Sequence, residues 1–280
     1  MTTLAASARP PMRSMRGPWL RYAAYELRRR RRAPLTWGLP LGLMAAMVVA
    51  VFPSIQGSAQ LDELIKAYPD ALKEAFGISD ASFSSISGYL AAEVFSMIAP
   101  FTAAAFMVHA IATGVSGAER RGVLDVMLSA PVRRSQLVVG YLAGSALALL
   151  GIAAVLGIVT QSAAALFGVD LSPGDTLAGV LNLWPLGIFA GGVAALLAGV
   201  SRRPAVVAGG AAGVLVAMYL VEVLGKLSDA FAKVDAVSAF HYYGSAIEDG
   251  LDPASCAILI GAALVLAAIG CVLFERRDVG

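Results

Sequence analysis

Ionisable side chains are scarce inside the apolar stretches of this sequence, so the few that occur there mark where chemistry could be done. Glu93, His109 and Glu222 lie at or within such stretches. Burying a carboxylate or imidazole in hydrocarbon is costly, which makes each a candidate for handling a proton, an ion or a polar group of a transported molecule. Glu93 and Glu222 fall near the ends of their stretches, where they reach water, so a plain interfacial role stands beside the functional one. His109 is deeper and reads either as a neutral, hydrogen-bonded packing histidine or as a ligand on a transport path. Phe240, Tyr242 and Tyr243, in AVSAFHYYGSAIEDGLD, could form a gate or an aromatic belt at headgroup level.

None of these residues completes a catalytic constellation. The sequence has no H-E-x-x-H and no G-x-S-x-G, so an intramembrane protease or acyl transferase lacks its facing groups. It also has no phosphate loop, since Gly225-Lys226 is followed by Leu227 and lacks the upstream glycine. A stand-alone, ion-driven transporter is the stronger alternative, but it would want paired acids or broken helices near the midplane, and the stretches are almost free of charge at mid-depth. No cofactor or metal is expected on this chain.

The segment Gly117 to Gln136, GAERRGVLDVMLSAPVRRSQ, carries a different kind of information. Glu119 stands where a helix N-terminus favours an anion, Leu124, Met127 and Leu128 make an apolar stripe, and Pro131 stops the helix ahead of Arg133 and Arg134. A short amphipathic helix of this kind is either a handle for a soluble partner or an interfacial turn.

The elements that must position these residues are six apolar stretches, at about 35–52, 92–117, 137–167, 177–200, 205–224 and 254–274. Each is long enough to cross a hydrocarbon core of roughly 30 Å at about 1.5 Å per helical residue. With 58% hydrophobic and 14% charged residues in 280, an ordinary soluble domain is excluded. If each stretch crosses once, all seventeen arginines face one side and all four lysines, Lys66, Lys73, Lys226 and Lys233, face the other. The positive-inside bias then places both termini in the cytoplasm. The third stretch is longer than a bilayer needs, and is expected to tilt, protrude or break near Gln161.

Residues 1–17 lack apolar periodicity and are expected to form a disordered cytoplasmic tail, with no cleavable signal peptide. From Pro18 onward Leu20, Ala23, Ala24 and Leu27 recur at helical spacing, with Arg21, Arg28 and Arg32 on the other face. This is the pattern of an amphipathic helix lying in the cytoplasmic interface, with Pro34 ending it. The run Arg28 to Arg32 beside a first span reads as an anchor to anionic headgroups rather than a nucleic-acid site. Trp19, Trp37 and Trp184 read as interface anchors, and Cys256 and Cys271 as apolar fillers of one helix. Small-xxx-small spacings at Gly140/Gly144, Gly187/Gly191 and Gly209/Gly213 allow close helix approach.

The run Glu119, Gly122, an apolar stretch to Leu128, then Ser129, Ala130, Pro131, Val132 and Arg133 resembles the loop after the second span in membrane subunits of type-2 ABC exporters. Gly122, Leu124, Asp125, Leu128, Pro131 and Val132 match that family's pattern. Val123 replaces its usual Thr, and Arg120 and Arg121 stand where a second acid is common. The basic helix before span one, the six spans, and the aromatic segment before span six are similar to the family's layout as well. The resemblance implies an all-α integral membrane fold over residues 18–280, a single six-span permease domain with a cytoplasmic coupling helix between spans two and three. It implies the non-catalytic permease subunit of an ATP-driven exporter, forming the substrate pathway in the inner (plasma) membrane. The expected partners are the lipid bilayer, a second permease (the same chain or a sister) and cytoplasmic ATP-binding subunits that hold ATP and magnesium. Glu119, Gly122, Leu124, Asp125, Met127, Leu128, Pro131 and Arg133 would then make the coupling contact.

Overall fold

The computed structural model describes residues 18–55, 85–117, 134–227 and 235–276. Among the described residues every regular element is helical and no strand occurs. Helix α1 (Pro18–Arg29) leads through a turn and a π-helical stretch, Pro34–Gly38, into α2 (Leu39–Ile55). The short α3 (Ile86–Leu90) runs into a π turn, Ala91–Phe95, ahead of α4 (Ile98–Ile111), which ends in a second π turn, Ala112–Ser116. Then follow α5 (Arg134–Phe167), α6 (Pro173–Val200) and α7 (Pro204–Leu227). A 3₁₀ turn, Asp235–Val237, and two short helices, α8 (Ala239–Tyr243) and α9 (Ala246–Asp249), lead to α10 (Pro253–Arg276).

Six helices are long and apolar enough to cross a membrane: Pro34–Ile55, Ile98–Ser116, Ser135–Phe167, Pro173–Val200, Pro204–Lys226 and Pro253–Arg276. The protein is a multi-pass membrane protein with an all-α fold. Its two ends are here called the arginine end, where α1 and the α6–α7 turn lie, and the lysine end.

One expectation about the spans needs correction, and another is narrowed. The second stretch is not one helix from 92: the chain breaks at Ser96 and Met97, where Met97 adopts φ −133°, ψ −54°. Pro100 is the physical reason. It lacks the N–H that would bond to Ser96, and its ring would press on that carbonyl, so it is accommodated in the first turn of a new helix. Span three, in contrast, is unbroken at Gln161, and α5 runs on for 34 residues. The Gln161 amide nitrogen instead donates to Thr176 Oγ1 at 2.6 Å and to the Ser172 carbonyl at 3.2 Å, tying the end of α5 to the start of α6.

Lipid tails are as apolar as leucine, so these helices are held by close packing rather than by escape from water. Helix α6 is the most buried span and packs against α10, α4 and α5. Along α10 the two backbones touch: a Cβ added to Gly199 would lie 2.4 Å from the carbonyl oxygen of Gly270. Trp184 is not an interface anchor. It sits midway along α6 and donates from Nε1 to the Ala146 carbonyl of α5 at 3.0 Å. Helix α7 is the most peripheral span, and Gly209 and Gly213 have nothing within 4 Å of where a Cβ would stand.

Candidate functional site

Among the described residues, a cluster of charged and polar side chains stands at each end of the bundle. At the arginine end α1 lies along α5, and the fit requires glycine: a Cβ on Gly140 would be 2.4 Å from Tyr22 Cβ, and one on Gly144 would be 2.5 Å from the Ala23 carbonyl. The face of α1 turned inward is therefore Tyr22, Ala23 and Glu26. Of the apolar set that recurs at helical spacing only Ala23 is buried, while Leu20, Ala24 and Leu27 are exposed. This pattern suits a helix with protein on one side and lipid on the other.

Glu26 is fully buried. One carboxylate oxygen accepts from Arg30 Nε, and the other lies 3.4 Å from Arg29 Nη1. Arg30 then reaches α4, where its Nη2 donates to the Ala110 carbonyl at 3.1 Å and to Thr113 Oγ1 at 3.2 Å. Its guanidinium carbon stands 5.5 Å from the centroid of the Phe106 ring. A charge-assisted network of this kind is stronger than neutral hydrogen bonds and fixes geometry. On the other side of α4's end, Ser116 Oγ donates to the Ser201 carbonyl at 3.1 Å, and Tyr141 of α5 fills the space left by Gly114. The chain thus enters and leaves residues 118–133 between helices that α1 joins.

The coupling residues Glu119, Gly122, Leu124, Asp125, Met127, Leu128, Pro131 and Arg133 lie outside the described residues. Arg21, Arg28 and Arg32 are all exposed on α1 and its following turn. The residues that hold the helix, Glu26 and Arg30, were not singled out in the sequence. The available signal was the lone acid four residues ahead of an arginine inside a run of basic residues, an i,i+4 pair. His109 is exposed, next to this cluster, rather than packed in the core.

At the lysine end Phe101 of α4, Tyr219 of α7 and Phe240 of α8 meet as an aromatic trio. Phe101 and Phe240 stack at 5.2 Å between centroids, and Tyr219 stands edge-on to both at 5.2 and 5.3 Å. Such pairs contribute about 0.5–1.5 kcal/mol each beyond area burial. Asn182 of α6, buried, donates to the Tyr243 carbonyl at 2.6 Å and so fixes α8 against the bundle. Phe240 and Tyr243 are buried, and burial pushes the Tyr243 phenol far above its ordinary pKa, so it stays neutral. Tyr242 is half-buried, edge-on to His241 at 5.1 Å.

Beside the trio opens a cavity of about 160 Å³, reached by Ser96, Tyr219, Glu222, Lys226, Tyr243 and Glu248. Of the expected pathway residues, the structure brings Glu222, Phe240 and Tyr243 to this one place. Glu93 is exposed on the π turn Ala91–Phe95, and His109 belongs to the opposite end. Glu222 is buried, not water-facing: its Oε1 meets Lys226 Nζ at 3.3 Å, and its Oε2 lies 3.9 Å from His241 Nδ1. Asp235 Oδ2 is 3.6 Å from the same nitrogen.

Comparison with known families matches residues 22–275 to the family described as the multidrug efflux system permease Rv1217c, C-terminal domain. No curated protein matches the chain.

Proposed function

The chain belongs to that family of efflux permease domains and is a membrane permease of an export system, and on that premise we propose that it forms half of an ATP-driven exporter for amphipathic, drug-like compounds. Hydrolysis would take place on separate ATP-binding subunits that hold ATP and magnesium, docked at the arginine end. That end would face the cytoplasm in the inner (plasma) membrane, consistent with the partition of arginines and lysines.

The observation that carries the coupling reading is the joint held by α1. Arg30, at the end of α1, grips the last turns of α4 while Gly140 and Gly144 seat α1 on α5. Residues 118–133 connect α4 to α5, so a partner that pushes on this segment pushes on two helices that α1 joins. Work delivered there would bias the bundle between inward-facing and outward-facing arrangements. The aromatic trio stands at the far end of the same helix, α4, and would serve as the exit gate. A second permease, the same chain or a sister, is supported by the bare face of α7 around Gly209 and Gly213.

The test is reconstitution in proteoliposomes with and without the ATP-binding subunits. Nucleotide-dependent efflux of an amphipathic dye is expected. Efflux by the permease alone, driven by an ion gradient and indifferent to ATP, would favour the secondary-transporter alternative.

A further inference from the structure

At the lysine end, three side chains able to ligate a metal come from three separate elements: Glu222 from α7, Asp235 from the 3₁₀ turn and His241 from α8. One ligand atom of each lies within 4.8 Å of the others. His241 Nδ1 is 3.6 Å from Asp235 Oδ2 and 3.9 Å from Glu222 Oε2. Three ligands on a tetrahedron with bonds of about 2.0–2.1 Å stand roughly 3.3 Å apart. Small side-chain rotations would close the observed set onto an ion.

A second observation points the same way. Glu222 is only 7% exposed, and its Oε2 is buried with no hydrogen-bond partner. Lys226 engages the other oxygen, Oε1, at 3.3 Å. A buried carboxylate oxygen calls for a donor or a cation, and this one is directed at an imidazole nitrogen and a second carboxylate. Lys226 offsets one of the two acids, and Glu222 Oε2, an Asp235 oxygen and the His241 ring nitrogen each still offer a lone pair to a cation.

The geometry points to a divalent transition-metal site of the zinc class, with one nitrogen and two oxygen ligands and the remaining position left to water. Imidazole in the set favours zinc over magnesium or calcium, which take six or more oxygens. The His241 side chain is 43% exposed, which gives an ion its way in. Bound there, the ion ties α8 to the end of α7. Phe240, the residue before His241, would thereby be held against Phe101 and Tyr219.

The experiment uses the full chain, purified in detergent micelles without chelator and carrying Cys256→Ala and Cys271→Ala so that thiols do not contribute. Zinc chloride is titrated in competition with a chromogenic zinc indicator, and thermal unfolding is followed in parallel. One zinc per chain is expected, with affinity at least tenfold weaker in His241→Ala and in Asp235→Asn. Neither residue is buried, so both variants should fold. At the same zinc concentration the unfolding midpoint of the parent should rise, and that of each variant should rise less. Lys226→Gln, which frees Glu222 of its competitor, should tighten binding. The site is overturned if the thiol-free parent shows no saturable zinc binding, or if His241→Ala and Asp235→Asn bind zinc as the parent does.

Discussion

Arg30, the first residue past the end of α1, donates from Nη2 to the carbonyl oxygen of Ala110 on α4, 3.1 Å away, while Glu26, one turn earlier, accepts from its Nε. The contact falls just before the π turn Ala112–Ser116, where the helical hydrogen-bond ladder changes register. The helix ahead of the first span is therefore bolted to the bundle, and its charges do more than meet headgroups.

Glu26→Ala should loosen this joint. Removing one partner of a buried ion pair costs about 3 kcal/mol here, the low end of the usual range, because Arg30 keeps the Ala110 and Thr113 acceptors. Thermal unfolding in detergent and ATP-dependent efflux should both fall, with insertion intact. An unchanged midpoint would show that the pair bears no load.

The glycine spacings separate by location. Gly144→Leu should detach α1 and destabilise the fold by roughly 1–3 kcal/mol or more through overpacking against Ala23 and Glu26. Gly213→Leu should leave the unfolding midpoint of the single chain alone and weaken association of permease chains, read by crosslinking in membranes. Equal effects on folding from both would contradict this division.

Those same glycines show what was legible in the sequence. The spans were readable because twenty or so apolar residues announce themselves, and the arginine partition orders them. Pairs such as Gly140/Gly144 and Gly209/Gly213 look alike in sequence, yet one is filled by α1 and the other is bare, because spacing does not say which neighbour arrives. The break at Met97 had its cause, Pro100, in plain view, but a proline three residues into a helix and one in its middle read the same until the start is known. Glu26 and Arg30 were hidden by the company of other arginines. Position at a span's end puts Glu222 near water, whereas the return of residues 235–241 over that end buries it.

Phe240→Ala should open the aromatic trio at the lysine end. Loss of a buried phenylalanine costs about 3 kcal/mol, and the cavity beside Tyr219 should widen. Efflux of a bulky dye relative to a small one should rise in proteoliposomes; an unchanged ratio would mean that the trio is packing alone.

Orientation is open to labelling. Ser201→Cys, at the arginine end, should resist a membrane-impermeant maleimide in intact cells, and Ser172→Cys, exposed at the lysine end, should react. The reverse pattern would invert the proposed topology.

Force is proposed to enter through residues 118–133, and the sharpest test is the double variant Leu124→Asp, Met127→Asp. The ATP-binding subunit is captured on the tagged permease while ATP-dependent efflux is measured in the same preparation. The variant should insert normally but lose the subunit, or keep it and hydrolyse ATP without transport. Normal capture together with normal efflux would contradict it and leave this segment as an interfacial turn.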